Sequence, residues 1–179
     1  MKLRAIRVHD VGLFKAPVAV ENLSGRLDVL AGPNELGKST LVAAVRAVLW
    51  QRHTTTSFRE IEPYGGGHPL IEIDFETGLG GAIRRWRLAK RYSTSTRTRF
   101  AELCEIGGGG LALRGPAAEE RLDELIGASQ KDPGRLGLLL VGQAEALRER
   151  IAPDGSGAQT LRSAIEREIG AKIPRFALK

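Results

Sequence analysis

One cysteine, Cys104, stands in a chain of 179 residues, so no internal disulfide can form. That composition belongs to a reducing compartment, and a cytoplasmic location is expected. Cys104 itself reads as a small buried apolar residue. Long hydrophobic runs are missing too. Leu136 to Val141 is too short to cross a bilayer, and Arg46 interrupts the apolar stretch around it. Basic residues open the chain in Met1–Arg7, but no apolar signal core follows them. No membrane partner is therefore expected. Three histidines, His9, His53 and His68, lack metal-ligand spacing and read as structural or surface groups. None stands in a triad context with Ser39, which excludes acyl transfer by that serine. An Asn-Lys-x-Asp base-reading motif is absent, which argues against a GTP switch.

What is present is ordinary globular material: 42% hydrophobic and 27% charged residues, enough for one well-cored domain. The balance is basic, with a net charge of +6. Arginine outnumbers lysine, and arginine suits phosphate, so an anionic partner is plausible.

The densest chemical signal is Gly32-Pro33-Asn34-Glu35-Leu36-Gly37-Lys38-Ser39-Thr40, a G-x-x-x-x-G-K-[ST] phosphate loop. An apolar run, Leu27 to Ala31, precedes it and predicts a buried strand. Leu41, Val45, Val48 and Leu49 follow at helical spacing and predict a helix from Lys38 to Gln51. Gly32 and Gly37 give the backbone freedom to curl N–H groups round phosphate oxygens. The amino end of the helix adds its unpaired N–H groups. Lys38 is placed to reach the β- and γ-phosphates of ATP, and the Ser39 hydroxyl to ligate Mg²⁺. Thr40 is read as an α-phosphate contact.

The rest of the chain alternates at period two for much of its length. Lys2 to His9 and Ala16 to Val20 predict strands before the loop. Arg52 to Pro69 has no period and predicts a loop. Leu70 to Glu76 puts Ile71, Ile73 and Phe75 on one face and Leu70, Glu72, Asp74 and Glu76 on the other. Asp74 and Glu76 read as outer-face acids without a second partner group. Ala82 to Tyr92, Arg97 to Ile106 and Leu111 to Leu113 complete an antiparallel meander. Pro116 to Ile126 predicts a helix that Gly127 ends. Further helices are expected over Ala144 to Ile151 and Ala158 to Ile169. This order is not the βαβ alternation of a small self-contained P-loop kinase, which stands as the alternative reading. A non-hydrolysing regulatory nucleotide-binding module is a second alternative.

Between Thr77 and Ala101 there is no acid, yet Arg84, Arg85, Arg87, Lys90, Arg91, Arg97 and Arg99 fall there. On a strand, Arg85, Arg87 and Arg91 share one face, while Trp86, Leu88 and Tyr92 share the other. The three arginines are candidate contacts to a DNA backbone, set against a plain solvated sheet face.

Four stretches together resemble the N-terminal lobe of an SMC-like ATPase, the ABC-type heads of chromosome-maintenance and repair-type AAA family proteins. They are Leu3 to Phe14, the Gly32 to Thr40 loop, the Leu70 to Ile106 meander, and Leu139-Leu140-Val141-Gly142-Gln143-Ala144-Glu145, which is similar to the family's glutamine loop. The loop is close to the family's GPNEAGKST, with Leu36 for Ala. The resemblance implies an α/β P-loop head lobe with a core parallel or mixed sheet and an added antiparallel meander. On this reading residues 1–151 form the N-terminal half of the head. Residues 152–179 are a linker and helix that begins a coiled-coil arm.

By the same resemblance, Gln143 completes the Mg²⁺ shell with Ser39 and senses the γ-phosphate, and Lys38 and Gln143 are the catalytic candidates. In many relatives a basic residue after the first strand touches the nucleotide. Here Asp10 to Leu13 offers none. The family's serine-glycine-glycine signature, its apolar run ending in Asp-Glu and a long heptad arm are absent from these 179 residues. The expected partners are therefore a C-terminal ATPase lobe in cis or in trans, a second head joined by nucleotide-dependent dimerisation, DNA, and a nuclease subunit. A fragment or one half of a split ATPase, slow to hydrolyse ATP alone, is the expectation.

Overall fold

The computed structural model describes residues 1–79 and 82–127. The expected helices at Ala144–Ile151 and Ala158–Ile169, the domain boundary at 151, and Gln143 lie outside the described residues. Strands β1 (Lys2–His9) and β2 (Val18–Val20) precede helix α1 (Lys38–Trp50). A single 3-10 turn at Arg59–Ile61 follows. Then come β3 (Leu70–Leu79), β4 (Ala82–Arg91), β5 (Phe100–Glu105), β6 (Leu113–Arg114) and helix α2 (Pro116–Ile126).

The strands form one sheet in the order β2-β1-β3-β4-β5-β6, and every neighbouring pair is antiparallel. Among the described residues the expected parallel or mixed part of the core is not seen. β1 joins the meander directly through β3, so the described residues hold a single antiparallel sheet. The predicted strand at Leu27 to Ala31 does not form either. A strand needs a neighbour for its N–H and C=O groups, and no described strand lies beside this segment. Leu27 and Val29 stay 85% and 78% exposed. Other boundaries move less. β2 starts only after Pro17, β3 runs on to Leu79, and Arg97 to Arg99 belong to the turn before β5.

Both helices pack on one face of the sheet. Alternation sends Ile71, Ile73 and Phe75 of β3, Trp86 and Leu88 of β4, and Ala101 and Leu103 of β5 into that core. α1 contributes Leu41, Ala44, Val45, Val48 and Leu49, and α2 contributes Ala118, Leu122 and Leu125. Each of the larger apolar groups contributes roughly 1.5–3 kcal/mol on burial.

The same alternation carries Lys90 inward, between Leu88 and Tyr92, where only 2% of it remains exposed. Its ammonium donates to Gln51 O at 2.9 Å and sits 3.3 Å from Glu119 Oε1. The Tyr92 hydroxyl donates to Ala47 O at 2.7 Å. Lys90 and Tyr92, near and just past the end of β4, thereby bond two carbonyls at the C-terminal end of α1, the cap residue's Gln51 O and Ala47 O, the latter also accepting the Gln51 N–H at 2.8 Å. Glu119, from α2, also accepts from the His53 backbone N–H at 2.7 Å. Burial lowers the Lys90 pKa to about 8, against a smaller upward pull from Glu119. Burial raises the Glu119 carboxyl, but the Lys90 charge and the His53 N–H outweigh it and hold it low.

The opposite face of the sheet is charged. Arg87 donates to Asp74 through Nε (2.8 Å) and Nη2 (3.0 Å), and Arg7 donates to the same carboxylate at 3.2 and 3.3 Å. Asp74 is only 2% exposed beneath them. Burial alone would raise its pKa. The two guanidiniums outweigh burial and lower it. Arg4 pairs with Glu76 at 2.7 Å. These pairs correct the expectation that Asp74 and Glu76 lack partners. The partners come from neighbouring strands, through the Asp74↔Arg87 and Glu76↔Arg85 register and through β1.

Candidate phosphate-binding site

Gly37 sets the geometry of the loop. It takes a left-handed conformation (φ 89°) and is the N-cap of α1, which begins at Lys38. Glu35 is also left-handed, at φ 67°. Two such residues bend the chain sharply, and short turns of this kind point successive N–H groups the same way. No side chain caps α1 and no acid lies in its first turn. Among the described residues, nothing caps the positive end of the helix, the arrangement that suits an anion.

Lys38 folds back over this concavity. Its ammonium donates to Gly32 O at 2.8 Å and to Pro33 O at 2.6 Å. Both acceptors are neutral carbonyls at an exposed position, so a phosphate oxygen competes well for the same donors. Ser39 is exposed in the first turn of α1. Gly32, Pro33, Asn34, Glu35 and Leu36 are exposed as well, and Leu36 folds against Gly32. The residues present thus fit a nucleotide's phosphates. Lys38 and the loop amides would hold them, Ser39 would hold the accompanying Mg²⁺, and the bound nucleotide would supply a transferable phosphoryl group.

The structure adds neighbours that the sequence pattern did not reveal. The Asp10–Phe14 turn is closed by Val11 N–H to Phe14 O (3.0 Å) and Phe14 N–H to Val11 O (2.8 Å). It carries the Phe14 ring against Gly37, where any Cβ would strike the ring. Gly12 packs against Thr40, and a Cβ there would come within 2.8 Å of Thr40 Cγ2. Thr40, read as an α-phosphate contact, thus also serves as packing. Beyond the turn, Gly12 N–H bonds Ile61 O (3.3 Å) and Tyr64 N–H bonds Gly12 O (2.9 Å). Lys15 reaches Gly65 on that same segment. Sequence spacing gave no signal for that approach, because it depends on how the 59–67 segment folds back.

Of the candidate DNA contacts, Arg87 is bound to Asp74 and lies 3.4 Å from Glu72. Arg85 sits 3.7 Å from Asp74. Arg91 instead lies over the Phe100 ring, 5.4 Å from its centroid. The three share a face, but they face different chemistry.

No family model matches this chain, and no curated protein matches it by sequence. It is similar to a solved structure from work on the ATP-driven dimerization and DNA-stimulated activation of SMC ATPases. The identity is 12%, the TM-score is 0.59, and the match covers 93% of this chain and 98% of that one. At that identity the likeness is one of fold. The mixed α/β architecture with an antiparallel sheet is that of an SMC ATPase structure. Among the described residues, no helix is long and apolar enough to cross a membrane.

Proposed function

We propose that this chain is the ATP-binding lobe of an SMC-like, DNA-processing ATPase. The observation that carries the reading is the junction at Gly37. A left-handed glycine opens an uncapped helix whose first residues are Lys38, Ser39 and Thr40, on a fold similar to an SMC ATPase. Backbone amides, the Lys38 ammonium and the α1 dipole together favour a triphosphate tail with Mg²⁺. Gln143 is proposed to complete the metal shell. Phosphoryl transfer to water also needs a positioned nucleophile and charge stabilisation on the far side of the γ-phosphate. Those groups are proposed to come from a C-terminal lobe and, across a nucleotide-bridged dimer, from a second head. The neighbour's ATP-driven dimerization and DNA stimulation support that proposal. DNA is the proposed macromolecular partner, and a nuclease subunit a further one.

Calorimetric titration with Mg–ATP tests the reading. Binding is expected for the chain as it stands and is expected to weaken at least tenfold in Lys38→Ala, whose loss removes a charge-assisted contact of about 1.5–3 kcal/mol. Lys38 is part-exposed and bonds only loop carbonyls, so the variant should unfold like the parent. No ATP binding by the folded parent, or equal binding by both proteins, would sink the reading. Turnover by the chain alone at an ordinary enzymatic rate would remove the need for a second lobe.

A further inference from the structure

His53 takes no part in the phosphate loop. It follows α1, and its side chain is only 10% exposed. Nδ1 is shut off from solvent and points at Glu119 Oε1, 3.2 Å away. A bare Nδ1 would set its lone pair against a carboxylate oxygen, so the hydrogen of a neutral ring belongs on Nδ1. Nε2, at the opposite edge of the ring, is then an acceptor, and no hydrogen bond from the described residues reaches it.

A groove of about 460 Å³ lies against this ring, within the range of small-molecule sites. It opens at the edge of the sheet, where β5 runs on past the short β6. Arg99, Phe100, Ala101, Glu102, Arg114 and Gly115 complete its lining. Arg114 and Glu102 neutralise each other at 2.9 Å. Glu119, in the first turn of α2, makes that helix end a poor place for an anion. Its own charge is met by Lys90 at 3.3 Å and Arg52 at 3.4 Å. Arg99 has no acidic partner among the described residues. It spends one donor on Thr54 O, a long 3.4 Å bond in an exposed position, and keeps the rest of its fork. Phe100 and Ala101 supply an apolar wall, and Gly115 adds no side chain to narrow the space.

Each feature asks one thing of a ligand. Arg99 asks for a single negative charge, the His53 ring for an O–H or N–H donor, and the Phe100–Ala101 wall for a flat apolar body. We infer that the groove binds a small aromatic acid, with one carboxylate on a flat ring that also carries a hydrogen-bond donor. The carboxylate pairs with Arg99, the ring lies along Phe100 and Ala101, and the donor bonds His53 Nε2, which Glu119 holds in the accepting tautomer. A phosphate dianion fits less well. Its second charge would meet Glu102 and Glu119 with no second unpaired cation in the lining to offset them. None of these residues belongs to the phosphate loop, so this site and the proposed nucleotide site stand or fall separately.

NMR of the imidazole carbon-bound protons in the full chain, titrated with 4-hydroxybenzoate at neutral pH, tests it. The His53 signals should shift and saturate with a Kd on the order of 1 mM, while those of His9 and His68, which do not line the groove, stay in place. Benzoate lacks the donor and should bind about threefold more weakly. 4-Hydroxybenzamide lacks the charge and should bind about tenfold more weakly. Arg99→Gln should weaken 4-hydroxybenzoate to the same degree, and Arg99→Lys should restore part of the loss. Arg99 is exposed and holds one long bond, so its variants should unfold like the parent. His53 signals that do not move, or that move no more than those of His9 and His68, would overturn the site. Equal affinity for the acid in Arg99→Gln, or for the amide in the parent, would overturn the assignment of an acid as its ligand.

Discussion

Glu119 and Lys90 form a buried ion pair whose two halves should differ sharply in what they cost to remove. Glu119→Ala strips the 3.3 Å partner from an ammonium that is 2% exposed, and it also orphans the His53 backbone N–H. What remains for Lys90 is a single carbonyl, Gln51 O. An uncompensated buried charge of this kind costs about 3–5 kcal/mol. Lys90→Met is different. The Glu119 carboxylate keeps the His53 N–H at 2.7 Å and Arg52 at 3.4 Å. Gln51 O loses its ammonium donor, and the Tyr92 hydroxyl, 3.3 Å away, gives its one proton to Ala47 O. The methionine fills the space of the lysine stem without a charge to desolvate, so the cost should stay below about 2 kcal/mol.

Urea denaturation at pH 7, read at a common m-value, separates the two. The double variant should cost less than the sum of the singles by about 1 kcal/mol or more, because the stranded cation is gone. Equal single costs, or strict additivity, would refute the reasoning. Stability against pH gives an independent reading. Folding lowers the Lys90 pKa from 10.5 to about 8, so below pH 8 both states hold the proton and the burial penalty is fully present. Between about 8 and 10 the unfolded chain holds a proton that the folded chain has shed, and stability rises with pH. Above 10 the raised Tyr92 pKa works in the opposite sense, because the unfolded tyrosine ionises first. The rise between 8 and 10 should flatten in Lys90→Met.

Two further outcomes follow from the geometry. Gly37→Ala places a side chain at φ 89° and against the Phe14 ring, which should cost about 2 kcal/mol or more in stability and weaken Mg–ATP binding, read by denaturation and calorimetry. Unchanged ATP affinity would separate the loop's conformation from its binding. Asp74 has a lowered pKa in the fold, so its contribution is present above the ordinary carboxylate range and is lost as pH falls through the lowered value. Asp74→Asn should lower stability at pH 7 and shrink the further loss on acidification below about pH 4. An acid unfolding profile identical to the parent's would rule out Asp74 as the group responsible.

Helix α1 was legible in the sequence because its signal is local: apolar residues at helical spacing after a glycine. β3 was legible because strict alternation identifies its core face without knowledge of its neighbours. What escaped was whatever depends on a partner far along the chain. Leu27 to Ala31 is apolar enough for a strand, but pairing, not composition, makes one. Arg85 and Arg87 read as free because the acids that neutralise them lie on β3, and only the register brings Glu72, Asp74 and Glu76 opposite β4. Lys90 was the exception that alternation did signal. Trp86, Leu88 and Tyr92 mark the inward face, and Lys90 shares their parity. Its place in a run of basic residues obscured that.

The two ends of α1 differ in how they are held. At its far end Ala47 O takes the Tyr92 hydroxyl and the cap residue's Gln51 O takes the Lys90 ammonium. At its near end no side chain among the described residues does the corresponding job. The helix is thus a dipole grounded at one pole, fixed against the sheet by its negative terminus and left with its positive pole turned outward at Lys38.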